Sequence, residues 1–130
     1  MYGAIQANHM NNVKWIYQCG GFELEYDHFY WAAEYGTLGI MKWLREVGCP
    51  WNTWTFAEAA EHGDLNNLMW LKATDCPWDV YTFGSASVCG NLEVLDWLLV
   101  NNCPWNTNTF QEYEYSDSVA QWLLNHSMIA

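Results

Sequence analysis

Basic residues are scarce. Four Lys and Arg stand against fifteen Asp and Glu, a formal net charge of −11. That field repels phosphate backbones and anionic lipid surfaces, so nucleic acid and membranes are not expected as partners. Also missing is any uninterrupted run of the roughly 18–20 apolar residues that a membrane helix requires. Met1-Tyr2-Gly3-Ala4 offers neither the basic flank nor the apolar stretch of a signal peptide. The five cysteines are odd in number and form no C-x-x-C pair, so a disulfide framework is not expected. The chain is expected to sit in a reducing, cytoplasmic setting and to be a monomer.

Catalytic signatures are absent too. Ser85, Ser87, Ser116 and Ser118 lack a nucleophile-elbow context, and no phosphate-cradling glycine loop occurs. Glu58 and Glu61 are one helical turn apart, a spacing typical of a solvated face. Cys49, Cys76 and Cys103 recur one repeat apart, while stacked helices lie about 8–10 Å apart, too far for a shared metal shell or disulfide. They read as small buried apolar residues. Cys89 and His62 can be neighbours, but His9, His28 and His126 join no ligand spacing. No enzyme activity, cofactor or metal is expected.

What the chain does have is 52% hydrophobic residues in 130, enough for one packed domain, and a repeat. Cys-Pro-Trp occurs at Cys49, Cys76 and Cys103, 27 residues apart each time. The same register carries Phe29, Phe56, Phe83 and Phe110; Ala32, Ala59 and Ala86; Gly36, Gly63 and Gly90; Leu38, Leu65 and Leu92; and Trp43, Trp70 and Trp97. Upstream, Val13-Lys14-Trp15-Ile16 matches Met41-Lys42-Trp43-Leu44 at an offset of 28, with the extra residue near Gly20-Gly21. Downstream, Trp122-Leu123 matches Trp97-Leu98 only after two deletions, which leaves Tyr115 or Asp117 at the turn-glycine position. The units are a partial repeat 1–21, repeats 22–48, 49–75 and 76–102, and a degenerate repeat 103–130.

Each unit reads as helix, tight turn, helix. Asn52, Asp79 and Asn106 suit an N-cap of the first helix, with Glu25 a weaker equivalent. Gly36, Gly63 and Gly90 sit where that helix must stop in a left-handed conformation. Thr37, Asp64 and Asn91 follow as caps for the second helix. Leu65, Leu68, Trp70 and Leu71 show helical spacing, and Gly48 ends one copy. Neither helix can bury its apolar side alone, so neighbouring units must stack into a curved, all-α array.

Segments such as Trp54-Thr55-Phe56-Ala57-Glu58-Ala59-Ala60-Glu61-His62-Gly63-Asp64-Leu65 resemble the ankyrin signature in the Ala-Ala-x-x-Gly-x-Leu part. Thr55 stands where the family has Pro, and Ala57 where it has His. The unit is about six residues shorter than the usual ankyrin repeat, with the loss where the β-hairpin finger belongs. Short Gly-Cys-Pro-Trp repeats of this kind are similar to those of large DNA viruses and some protists, which would place a viral member in the host cytoplasm. The resemblance covers nearly the whole chain and implies a helix-turn-helix solenoid lacking most fingers, with a general role in binding other proteins.

Residues in register are explained by packing, so partner contacts belong to surface positions that vary. Eight tryptophans are in register: Trp15, Trp43, Trp70, Trp97 and Trp122 on second helices, and Trp51, Trp78 and Trp105 after the prolines. They read as structural. Trp31 and Trp54 stand apart. One first-helix position carries Asp27, Trp54, Tyr81 and Asn108; a second carries Trp31, Glu58, Ser85 and Glu112; a third carries Glu34, Glu61, Val88 and Tyr115. The four basic residues Lys14, Lys42, Arg45 and Lys72 all fall on second helices. In an ankyrin-like stack the first helices line the concave side, so Asp27, Trp31, Glu34, Trp54, Glu58, Glu61 and Tyr81 are the candidate partner-binding residues. Aromatics among carboxylates suit a protein partner that offers Arg or Lys among apolar side chains. The plainer reading is that Trp31 and Trp54 pack against adjacent helices. The alternative function is a structural spacer or fragment of a longer array with no partner site, since the chain opens partway through a repeat.

Overall fold

A computed structural model describes residues 1–20 and 23–130. Among the described residues all regular structure is helical. The helices are α1 (Tyr2–Gln6), α2 (Met10–Gly20), α3 (Tyr26–Glu34), α4 (Leu38–Glu46), α5 (Thr53–His62), α6 (Leu65–Ala73), α7 (Val80–Cys89), α8 (Leu92–Val100) and α9 (Asp117–Asn125). The first helices pack side by side in chain order, α1 on α3, α3 on α5 and α5 on α7, and each also packs on the second helix of its own pair. The junction at residues 21 and 22 lies outside the described residues.

Local chemistry starts and stops each helix. Asn52 accepts from the Trp54 amide at 3.0 Å and Asp79 from the Tyr81 amide at 2.9 Å, satisfying first-turn donors that have no helical partner. The reciprocal half of each box comes from Thr55 and Thr82, whose hydroxyls accept from the cap amides. At Glu25 the same place is filled by His28, which accepts through Nδ1 at 2.9 Å. The first helices then end at Gly63 and Gly90, with φ of 85° and 81°, where a Cβ is penalised. Asp64 and Asn91 cap the second helices through their side chains. Thr37 does not: its hydroxyl donates to the Ala32 carbonyl at 3.2 Å and ties the turn to the helix it leaves.

Two turn glycines meet a second constraint. A Cβ built on Gly36 would fall on the His62 ring, and one on Gly63 would fall on the Cys89 thiol. The residue before each turn thus reaches back onto the turn of the preceding pair, and only a missing side chain leaves room for it.

Phe29, Phe56 and Phe83 are fully buried and form the spine of the core together with Leu44, Leu71 and Leu98. The periodic tryptophans close over this spine. Trp70 stacks on Phe29 of the preceding pair, with ring centroids 6.4 Å apart, and meets Trp51 edge-on at 6.1 Å. Trp97 repeats the edge contact with Trp78, and Trp122 covers Phe83 at 6.2 Å. Trp15 and Trp105 are the exposed members of the eight, at 65% and 37%.

The buried cysteines are more than apolar filler. Cys49, Cys76 and Cys103 direct their Sγ at the carbonyls of Glu25, Asn52 and Asp79, the N-cap residues of the preceding pair, at 3.4, 3.9 and 3.9 Å. Burial pushes all three thiols up to about 12, so each stays a protonated donor. The 27-residue period therefore carries a weak thiol link between adjacent pairs at each step.

The last unit departs from the pattern. Asn106 accepts from the Asn108 amide at 2.8 Å and the Thr109 hydroxyl accepts from the Asn106 amide at 2.7 Å, so the cap forms. Yet residues 107–112 make only turns. Thr107, Asn108 and Thr109 are poor helix formers. Ser116 caps α9, which places Tyr115 in register with Gly90.

Candidate binding surface

The outer face of the first helices is built by the cap geometry. Because Trp54 and Tyr81 occupy the same position in consecutive capped helices, their rings meet side by side, with centroids 5.3 Å apart and planes inclined 28°. Both remain in solvent, 52% and 47% exposed. Large aromatics are normally covered when a fold can cover them, so a stacked exposed pair stands out from the surface around it. A depression of about 220 Å³ lies beside Trp54, lined by Tyr26, Asp27, Tyr30 and Asn52. A second of about 360 Å³ lies beyond Tyr81, bounded by Val80, Asn106, Asn108 and Tyr113.

One turn further along the face the character changes from aromatic to acidic. Glu58 of α5 accepts a hydrogen bond from the Tyr30 hydroxyl of α3 and shares its surroundings with Glu34 and Glu61. Burial raises the Glu58 carboxyl above its ordinary value; the bond from Tyr30 opposes that, and repulsion from Glu61 and Glu34 adds to it. Tyr30 is pushed up to about 12 by burial, by its bond to Glu58 and by the same carboxylates. Glu34 and Glu61 add to both shifts, so negative charge is concentrated at this place on the face.

The basic side chains lie elsewhere. Arg45 places its guanidinium 4.0 Å from the centre of the Trp51 ring, and Lys72 its ammonium 4.4 Å from that of Trp78. These cation–π contacts on second helices cover the tryptophans that follow Pro50 and Pro77. Two of the four positive charges are thus engaged away from the first-helix face.

The seven candidate residues divide into three groups. Asp27, Trp54 and Tyr81 come together at the helix starts, Asp27 and both rings exposed. Glu34, Glu58 and Glu61 form the acidic cluster. Trp31 is half-buried; it packs edge-on against Tyr2 at 5.0 Å and His28 at 5.3 Å and rests on the core. Its ring is thus partly packed into the fold and partly open to solvent. Tyr26 and Tyr30 belong to the surface and were not singled out by sequence. Their positions carry Thr53, Val80 and Thr107, and Ala57, Gly84 and Gln111, elsewhere, so the same search for departures from register finds them.

Among the described residues no His, Cys, Asp or Glu group is arranged to hold a metal ion, and no helix is long and apolar enough to cross a membrane. No family model matches the chain, and neither a curated protein nor a solved structure matches it.

Proposed function

We propose that this chain is a non-catalytic interaction module, an ankyrin-like repeat solenoid whose first helices bind another protein. The observation that carries the reading is the exposed Trp54–Tyr81 stack beside a carboxylate cluster. Exposed aromatics in a preordered array lose little side-chain entropy on binding and make good anchors. Glu34, Glu58, Glu61 and Asp27 select for Arg or Lys on the partner, and burying an Arg against Trp54 adds a cation–π contact. The partner is a protein segment that presents a basic residue within two helical turns of an apolar one.

The test is binding of a soluble partner fragment to the chain at about 50 mM and about 500 mM salt, since exposed charge pairs weaken as the screening length shortens. Loss of affinity at high salt, together with protection of Trp54 from quenching in the complex, supports the face. A complex that is insensitive to salt and leaves Trp54 accessible contradicts it.

A further inference from the structure

The Trp54 ring has two faces, and the fold uses one of them. Tyr81 of α7 stacks on it at 5.3 Å, while α3 packs along the other side of α5. On the α3 side Trp54 lines the depression of about 220 Å³ together with Tyr26, Asp27, Tyr30 and Asn52. Tyr26 and Tyr30 are one turn apart on α3, so they share a face of that helix. Among the described residues, three aromatic rings and a carboxylate thus border one concavity. Two polar groups on its rim are already committed, since Asn52 Oδ1 accepts from the Trp54 amide and the Tyr30 hydroxyl donates to Glu58. Asp27 supplies negative charge, and Glu34, Glu58 and Glu61 add more further along the face.

Size and hydration select the ligand. The depression is smaller than the roughly 300–1,000 Å³ of small-molecule pockets. It also lies open on the outer face, with Tyr26 and Trp54 51% and 52% exposed. It therefore suits one side chain presented by a partner better than a free ligand that has to be enclosed. An ordinary lysine ammonium is a compact, strongly hydrated charge with three N–H donors, and ring faces return few of the hydrogen bonds it would lose. A methylated ammonium is larger and spreads its charge over C–H groups that need no acceptor, so aromatic faces beside a carboxylate hold it at little cost in hydration.

We infer that Tyr26, Tyr30 and Trp54, with Asp27, form an aromatic cage that takes the methylated ε-ammonium of a lysine side chain on a partner protein. The inference rests on the first-helix face being the binding surface, and it narrows the cation that this face selects from any Arg or Lys to an alkylated Lys. Tyr81 has a supporting part: its stack with Trp54 holds the indole in place, so the opposite ring face is preordered for the ligand.

The experiment follows the Trp54 indole N–H of the 130-residue chain by two-dimensional NMR, the resonance being identified by its loss in Trp54→Ala. The probes are Nα-acetyl-trimethyllysine amide, its unmethylated parent, a neutral isostere with carbon in place of the charged nitrogen, and choline. The trimethyl probe is expected to move the resonance saturably at roughly tenfold lower concentration than the parent or the isostere. Tyr26→Ala and Asp27→Asn change exposed side chains, and each should weaken that response at least about threefold with an unchanged helical spectrum. Tyr30→Phe keeps the ring and should keep the response. Equal responses to the trimethyl and unmethylated probes, or to the trimethyl probe and the isostere, overturn the cage. So does a response that Tyr26→Ala and Asp27→Asn leave unchanged, or no response to any probe. Tighter binding of choline than of the trimethyl probe overturns the assignment to a lysine side chain. Failure of the binding role itself is read separately, in the salt and quenching test with a partner fragment, which uses no methylated lysine.

Discussion

Asn67 sits on α6 only 1% exposed, and its amide Nδ2 has no hydrogen-bond partner. The register explains why this is anomalous: the equivalent residues are Ile40 and Val94, both fully buried. An amide left unpaired in a dry core costs about 1–3 kcal/mol of stability, the desolvation that no bond repays. Replacing Asn67 by Val removes the orphan donor, keeps a side chain of similar size, and leaves helix propensity nearly unchanged, because Asn and Val rank close together. The variant is therefore expected to gain about 1–3 kcal/mol. At about 4 °C per kcal/mol for a domain of this length, the melting temperature should rise by roughly 4–12 °C. Thermal unfolding followed by circular dichroism, with a urea titration at 25 °C to check that the slope m is unchanged, measures both quantities. An Asn67→Val chain that melts at or below the parent temperature with an unchanged m would refute the argument, because it would mean that the amide is stabilised where it lies.

Four further outcomes follow from the same geometry. Trp70→Ala should cost about 2–4 kcal/mol, a little under the value for a fully buried Trp because its ring is partly exposed, while Trp54→Ala should cost about 0.5–1.5 kcal/mol for its stack with Tyr81. Equal losses in urea unfolding would place Trp54 in the core and remove it from the binding face. Gly63→Ala should be far more damaging than Gly90→Ala, although both have positive φ, because only the first Cβ collides with the Cys89 thiol; Cys89→Ala should restore part of the loss. Alkylation of the native chain at neutral pH should label exposed Cys19 and spare Cys49, Cys76 and Cys103, whose burial holds them as thiols near 12; rapid labelling of all five in the folded state contradicts that burial. Finally, because the folded pKa of Glu58 is raised, the folded state holds its proton more tightly than the unfolded state, and this group favours folding more as pH falls. Glu58→Gln should therefore stabilise at neutral pH, with the gain shrinking as the pH approaches the ordinary value of 4.5; a gain that is constant with pH would rule out titration as its source.

Features confined to one unit were legible in the sequence. The caps at Asn52 and Asp79, the left-handed Gly63 and Gly90 and the alternation of first and second helices depend on contacts within a few residues, where spacing fixes geometry. Features that depend on what lies across the gap between pairs were not legible. Nothing in the spacing says that the Cys76 thiol points at the Asn52 carbonyl, or that Gly36 must be bare because His62 arrives there. Trp15 and Trp31 show the same limit from opposite sides. Trp15 obeys the register and is nonetheless 65% exposed, and Trp31 breaks the register and is half-buried because Tyr2 and His28 close around it. The turns at 107–112 failed to become a helix although the cap residues were right, because helix stability in such an array comes from packing against neighbours. The Trp54–Tyr81 pair was legible because both residues sit on one capped position and neither recurs there.

The most direct test of the binding role is affinity capture from a lysate with three forms of the chain: the parent, Trp54→Ala with Tyr81→Ala, and Val100→Thr, which alters an exposed apolar residue on a second helix. Each must first show a single cooperative unfolding transition well above the capture temperature. A protein retained by the parent and the Val100 variant and lost by the double variant is the predicted result. Retention by all three alike, or by none, would contradict a binding site on the first-helix face.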